Sequence, residues 1–241
     1  MGYLFDRHSF RKGEALNKYK VNQGVCTDGK YIYSVFERKK PHKCKIRKFT
    51  FDNKTIKTSK ALSIGHGNDI TYKDGWLYIT HSRSGSVVHK VNAKTLEKGK
   101  DIKIIIPKKL SKSPSFNGIA ATKDGFVIKL MGSSKIIEVN DKFEYKRAFK
   151  LKKKFIVSQG MEWHDGKIYR VYSNYQKSQN KVAVFDMKGN LVKLYKIKVK
   201  GEAEGTFFCN GKFYMSIYRK YKNKHGKKVY KSRLYCLSKV K

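Results

Sequence analysis

Acidic residues are scarce in this chain: 18 Asp and Glu stand against 56 Lys and Arg, for a net charge of +38 over 241 residues. A surface of one sign repels itself and draws a polyanion, so nucleic acid, an anionic cell-wall polymer or anionic lipid are the partner classes to consider. Lys outnumbers Arg by 47 to 9. AT-rich coding produces such a bias too, although drift toward Lys would not remove the acids. Proline is also rare, at three residues, and no low-complexity stretch occurs, which argues against a disordered chain. No apolar run approaches the roughly 18 residues of a membrane-spanning helix. The opening MGYLFDRHSFRKGE has no apolar core of signal-peptide length, so a cytoplasmic or phage-associated protein is expected. The four cysteines, Cys26, Cys44, Cys209 and Cys236, show no CxxC spacing. They read as free thiols of a reducing compartment, and no metal or other cofactor is expected. Neither a phosphate-cradling Gly-rich loop before a helix nor a serine nucleophile elbow is present.

What the chain does have is a repeat. Turn dyads occur at Asp28-Gly29, Asp74-Gly75, Asp124-Gly125, Asp165-Gly166 and Asn210-Gly211, separated by 46, 50, 41 and 45 residues. Five to seven residues before each lies a polar-plus-small pair: Gln23-Gly24, Asn68-Asp69, Asn117-Gly118, Gln159-Gly160 and Glu204-Gly205. A strand-like run rich in Tyr, Phe, Ile and Val follows each dyad. Repeats in the forties built from short strands are those of a β-propeller. The expected fold is therefore all-β, one domain over 1–241, with five blades at about 22–64, 67–106, 116–151, 158–199 and 203–241. An open two-sheet arrangement is the alternative. The fifth unit stops after its third strand, and a spare strand-like piece at 15–21 is expected to supply its outer strand and close the ring, leaving only short, protected edges.

Strand order then places the site. Inner strands would line a central channel, and their starts share one face with the loops between second and third strands. Candidate ligand contacts on that face are His66, Asn68, Asn117, Gln159, Arg38, His81, Arg83, Tyr175, Arg219 and Tyr221. The loop Arg219–Lys228 is strongly basic and interleaved with Tyr218, Tyr221 and Tyr230. Cations broken by aromatics suit phosphate contact with ring stacking, although a solvated hairpin tip has the same composition. Gln23, Asn117 and Gln159 could equally bond backbone around the ring. Lys152-Lys153-Lys154 reads as edge protection at the end of an outer strand. Asp69, Glu162 and Glu204 are acids near the axis of an acid-poor chain. They could be a catalytic carboxylate set, or ion-pair partners for lysines.

The pattern Gln159-Gly160-Met161 with Asp165-Gly166-Lys167-Ile168-Tyr169, echoed by Gln23-Gly24 with Asp28-Gly29 and by Glu202-Ala203-Glu204-Gly205, resembles a group of bacterial and phage five-bladed propellers. The group comprises helveticin-like bacteriocins and the propeller domains of phage receptor-binding and teichoic-acid-linked proteins. The resemblance implies cell-wall, glycan or host-surface binding and carries no catalytic residues. Together these features point to a non-enzymatic binding propeller for an anionic polymer, either a teichoic-type glycan or nucleic acid. A glycosidase-like use of Asp69, Glu162 and Glu204, or a pocket for a nucleotide or phosphosugar, are the alternatives.

Overall fold

The computed structural model describes residues 5–9, 19, 21–38, 42–81, 85–155, 157–175, 179–222, 224–226 and 228–237. It is an all-β, five-bladed propeller made of five four-stranded antiparallel sheets, with no helix among the described residues. The first strand, β1 (Phe5–Ser9), belongs to the last blade. Blade 1 contains β2 (Val21–Thr27), β3 (Ile32–Arg38), β4 (Lys43–Phe49) and β5 (Thr55–Thr58). Blade 2 contains β6 (Asp69–Lys73), β7 (Trp76–Thr80), β8 (Val87–Asn92) and β9 (Ile102–Lys103). Blade 3 runs through β10 (Phe116–Thr122), β11 (Gly125–Leu130), β12 (Lys135–Val139) and β13 (Tyr145–Lys150). Blade 4 runs through β14 (Ser158–His164), β15 (Lys167–Tyr172), β16 (Asn180–Asp186) and β17 (Leu191–Ile197). Blade 5 has β18 (Glu202–Cys209), β19 (Lys212–Lys222) and β20 (Lys228–Leu237), completed by β1.

Ring closure comes from further upstream than expected. β1 pairs antiparallel with β20, Phe5 opposite Leu237 and Ser9 opposite Arg233. The segment expected to close the ring, 15–21, does not pair there where it is described. Val21 opens the inner strand of blade 1, and Tyr19 is buried in a small cluster with Phe36. Residues 15–18 and 20 lie outside the described residues.

Period-two alternation in the strands builds the core. In β11, Val127 packs toward blade 4 with Met161 and Ile168, whereas Phe126 and Ile128 pack toward blade 2 with Tyr78 and Val88. The same division recurs around the ring. Five apolar clusters result, each filling one interface between adjacent blades, and the last joins Phe207, Tyr214 and Leu234 of blade 5 to Val25, Ile32 and Phe49 of blade 1. No blade can bury both faces alone, so the ring is the folding unit. The turn dyads behave as their composition requires: Asp74-Gly75, Asp165-Gly166 and Asn210-Gly211 hold positive φ at both positions, the turn that matches strand twist in a tight hairpin. None of the four cysteines is in a disulfide, and all are buried. Burial raises the Cys26 and Cys44 thiols above their ordinary range, which makes them inert.

Candidate functional site

The polar-plus-small pairs turn out to be β-bulges. The ladder between first and second strands slips at Gln23 in blade 1, Asn117 in blade 3, Gln159-Gly160 in blade 4 and Glu204-Gly205 in blade 5. A bulge leaves residues out of the ladder, re-aiming their side chains, and the small residue lets backbones meet. A Cβ at Gly160 would lie 2.6 Å from the Glu204 carbonyl oxygen and 2.9 Å from Gly205 Cα. One at Gly205 would lie 2.7 Å from Gly24 Cα.

Blade 2 has no slip, and its residue at this level is Asp69. Its side chain is fully buried and reaches across the axis. One oxygen accepts the Ile70 N–H at 3.0 Å; the other accepts those of Ile119 in blade 3 and Met161 in blade 4, each at 3.0 Å. Burial pushes this carboxyl up to about 7, against the three N–H donors and the Arg170 charge that hold it down. The expected open channel is therefore interrupted here by a carboxylate that ties three inner strands together. Its partners are backbone amides, not the lysines that composition suggested.

The other two acids of the expected set stand in different surroundings. Burial first, then the Asp69 charge, raises Glu162 well above the usual carboxylate range, countered by the Phe208 N–H. Glu204 is raised by burial and by the charges of Glu202 and Glu37. Gln159 Nε2 donates to Glu202 at 2.9 Å, linking blades 4 and 5. Beside them Glu37, 2% exposed, takes His66 at 2.8 Å and His42 at 3.0 Å on one oxygen. Burial works to raise Glu37, but the two histidines outweigh it and hold its carboxyl below its ordinary value. The His66 backbone N–H donates to His81 Nδ1 at 3.0 Å, which puts the neutral His81 proton on Nε2. His66 is thus held by a carboxylate that was not among the expected site residues, and His81 is tied to it through the His66 backbone. Among the described residues no group of three His, Cys, Asp or Glu side chains is arranged to hold a metal ion.

Asn117 is half-buried, with its Oδ1 unpartnered in the interior. The Asn68 N–H bonds the Thr80 carbonyl, Arg38 ends β3 opposite Lys43, and Tyr175 is 59% exposed on the β15–β16 loop. Arg83 lies outside the described residues.

Arg219 and Tyr221 do converge with other residues. β19 has 11 residues where the second strands of the other blades have five to seven, so the β19–β20 hairpin projects about 13 Å beyond the rim. Its buried face, with Met215, Ile217 and Tyr235 in the blade 4–blade 5 core, continues outward as Arg219, Tyr221, Lys231 and Arg233. These four, with Tyr235 and with Lys200 from the link between blades, line a cleft of about 220 Å³. Arg219 sits 5.7 Å and Lys231 5.5 Å from the Tyr221 ring centre. Arg219 lies directly opposite Lys231 in the ladder, and Arg233 Nε is buried without a partner. Like charges facing each other across a ladder are destabilising, and an anion between them would reverse the sign.

No protein-family model matches the chain, and no curated protein matches it. Among solved structures it is similar to a Kuenenia stuttgartiensis hydrazine synthase chain, with a TM-score of 0.50 and 12% identity over 84% of this chain and 57% of that one. It is also similar to a protein of unknown function from Bacteroides caccae, with a TM-score of 0.50 and 15% identity over 81% of this chain and 70% of that one. The chain spans a little over half the hydrazine synthase chain. At these identities the likeness is one of fold, and neither structure bears on the narrower resemblance to bacteriocin and phage propellers.

Proposed function

We propose that this propeller is a binding module whose basic face takes a phosphate-bearing polymer, a teichoic-type glycan or a nucleic acid, along the projecting hairpin of blade 5. The observation that supports it is the cleft lined by Lys200, Arg219, Lys231 and Arg233 with Tyr221 and Tyr235, in which no carboxylate occurs among the described lining residues. Arginines supply forked donors to phosphate, lysines supply point charge, and the tyrosines offer faces to sugars or bases. Such a surface follows a charged backbone with little selectivity for sequence. The axis supports binding over glycoside cleavage, because both oxygens of Asp69 are engaged by buried backbone donors and no substrate reaches them.

Titration with poly(glycerol phosphate) and with single-stranded and duplex DNA, at 50 and 200 mM salt, tests this. Affinity for at least one polymer should fall steeply with salt, as expected when several phosphates are neutralised, and Arg219→Ala with Arg233→Ala should abolish most of it. Salt-independent binding, or binding unchanged in the double variant, would sink the reading.

A further inference from the structure

A second cationic recess lies between blades 3 and 4, away from the hairpin. It holds about 140 Å³, the volume of about five waters. Its lining includes Lys129 of β11, Ser133 and Ser134 of the β11–β12 loop, and Lys153, Lys154 and Ser158 from the link into β14 and its first residue. By strand order this loop and this link open on the same face as the blade 5 hairpin. No carboxylate lines it among the described residues.

Three features mark it as unfinished without a ligand. Lys129 is 4% exposed, and its Nζ donates to the backbone carbonyls of Leu130 and Ser133, which anchor the ammonium at the recess. The charges bearing on it, Arg170 of β15 and Lys154 of the link, are both positive. Ser158 Oγ is buried with no partner. Behind the wall, Arg170 is fully buried 5.7 Å from the ring centre of Tyr172, which also lines the recess; its counter-charge is the axial Asp69, and its Nε and Nη2 have no hydrogen-bond partner. A buried ammonium that meets only like charges, as Lys129 does, is costly, and buried hydroxyls such as that of Ser158 are ordinarily satisfied. A bound dianion would answer both. Lys153 and Lys154 are exposed and free to swing onto it.

We propose that this recess is a pocket for a phosphate monoester, with Lys129 and the Ser158 hydroxyl holding the phosphate from within and Lys153 and Lys154 closing on it from outside. The pocket deepens the reading of a phosphate-binding face and rests on it: one site follows the polymer backbone, the other takes a terminal or free dianionic phosphate.

Burial, then Arg170 and Lys154, lowers the Lys129 ammonium to about 7, so it charges fully only below neutrality. The groups facing it are Arg170 from β15, Lys154 from the link, and the Leu130 and Ser133 carbonyls. Sulfate, whose own charge is constant, should therefore bind more tightly at pH 6 than at pH 8.

Calorimetric titration of the full chain with orthophosphate, glycerol 3-phosphate, dimethyl phosphate and sulfate provides the test. Glycerol 3-phosphate should bind at least tenfold more tightly than the diester. Lys129→Met should weaken it about tenfold and flatten the sulfate pH profile. Ser158→Ala should cost about tenfold or more, in keeping with loss of one hydrogen bond to a charged group. Lys154→Ala, at an exposed position that folding does not use, should also weaken binding, which guards against a variant that merely unfolds. A 5′-phosphorylated oligonucleotide binding more tightly than its 5′-hydroxyl counterpart assigns the monoester to a chain end, and equal binding of the two with tight glycerol 3-phosphate assigns it to a small ligand. Monoester affinity equal to that of the diester, or unchanged in both Lys129→Met and Lys154→Ala, overturns the pocket. Arg219→Ala with Arg233→Ala should spare the monoester and weaken the polymer, so failure of the hairpin reading and failure of the pocket give different patterns.

Discussion

The axis and the blade 5 hairpin use polar residues in opposite ways. At the axis, Asp69 is fully buried with each oxygen bonded, and the bulge glycines bring backbones together around it. On the hairpin, Arg219 and Lys231 face one another in the ladder, and the face they share with Tyr221 no longer has a neighbouring blade to pack against. The bulge glycines recur in four blades and, with the single Asp69 of blade 2, hold inner strands together, whereas the hairpin residues belong to one blade and extend past its neighbours. What separates the two regions is satisfaction: the axial polar groups have backbone partners, and the hairpin cations face one another.

The largest expected effect is at the axis. Asp69→Ala strands the N–H groups of Ile70, Ile119 and Met161, and each buried orphan costs about 1–3 kcal/mol. That sum rivals the whole stability of a typical domain. Urea denaturation should show a severely destabilised or unfolded variant; a loss below about 1 kcal/mol would mean the carboxylate is not what joins the blades. Next come the glycines. Gly205→Ala meets the Val25 nitrogen and Gly24 Cα and should cost roughly 1–3 kcal/mol or more. Gly226→Ala, at the hairpin tip with nothing near it and φ of +70°, should cost about 1–2 kcal/mol from backbone strain alone. Equal Tm shifts for the two would erase the distinction between the regions.

A smaller effect follows from Glu37. Its carboxyl is held below 4.5 in the folded chain, so its contribution is present above the unfolded value and is lost as pH falls through the folded one. Stability measured from pH 6 downward should therefore decline less in Glu37→Gln than in the parent over the acid range; parallel curves would remove the histidines' hold on this group. The smallest change in stability is expected on the hairpin. Tyr221→Ala should leave Tm within about 2 °C, as for surface changes near 0.5 kcal/mol, yet reduce polymer affinity several-fold by fluorescence titration. Lost stability with intact affinity would reassign the ring to packing.

Much of the architecture was legible in the order of residues, and for a local reason. The dyads and the pairs before them are short-range signals: the dyads mark hairpin turns where expected, and the pairs, read as starts of inner strands, prove to be bulges within them in four blades. The closing strand was misplaced because outer-strand pairing is long-range: Phe5–Ser9 carries four polar residues and little periodicity, while Ala15–Val21 looks more strand-like in isolation. The Lys152-Lys153-Lys154 run was read as edge protection, yet β13 ends at Lys150 and two of the three line a recess. On the hairpin, alternation of cations and tyrosines was visible at once. Lys129 and Arg170 were not, since a lone charge inside the apolar runs Phe126–Leu130 and Ile168–Tyr172 discloses its neighbours only after neighbouring blades pack. Glu37 escaped notice likewise, because His66 joins it from the next unit.

Pairing β1 with β20 sets Phe5 against Leu237, so the last sheet cannot be completed until nearly the entire chain has been made and brought round. Closing so large a loop is entropically slow, and it is rewarded only after the other blades stand. Refolding should accordingly pass through a horseshoe with one unsealed flank at β20, a species able to recruit a strand from a second molecule. A net charge of +38 gives such horseshoes a mutual repulsion that favours the slow intramolecular seal over strand exchange.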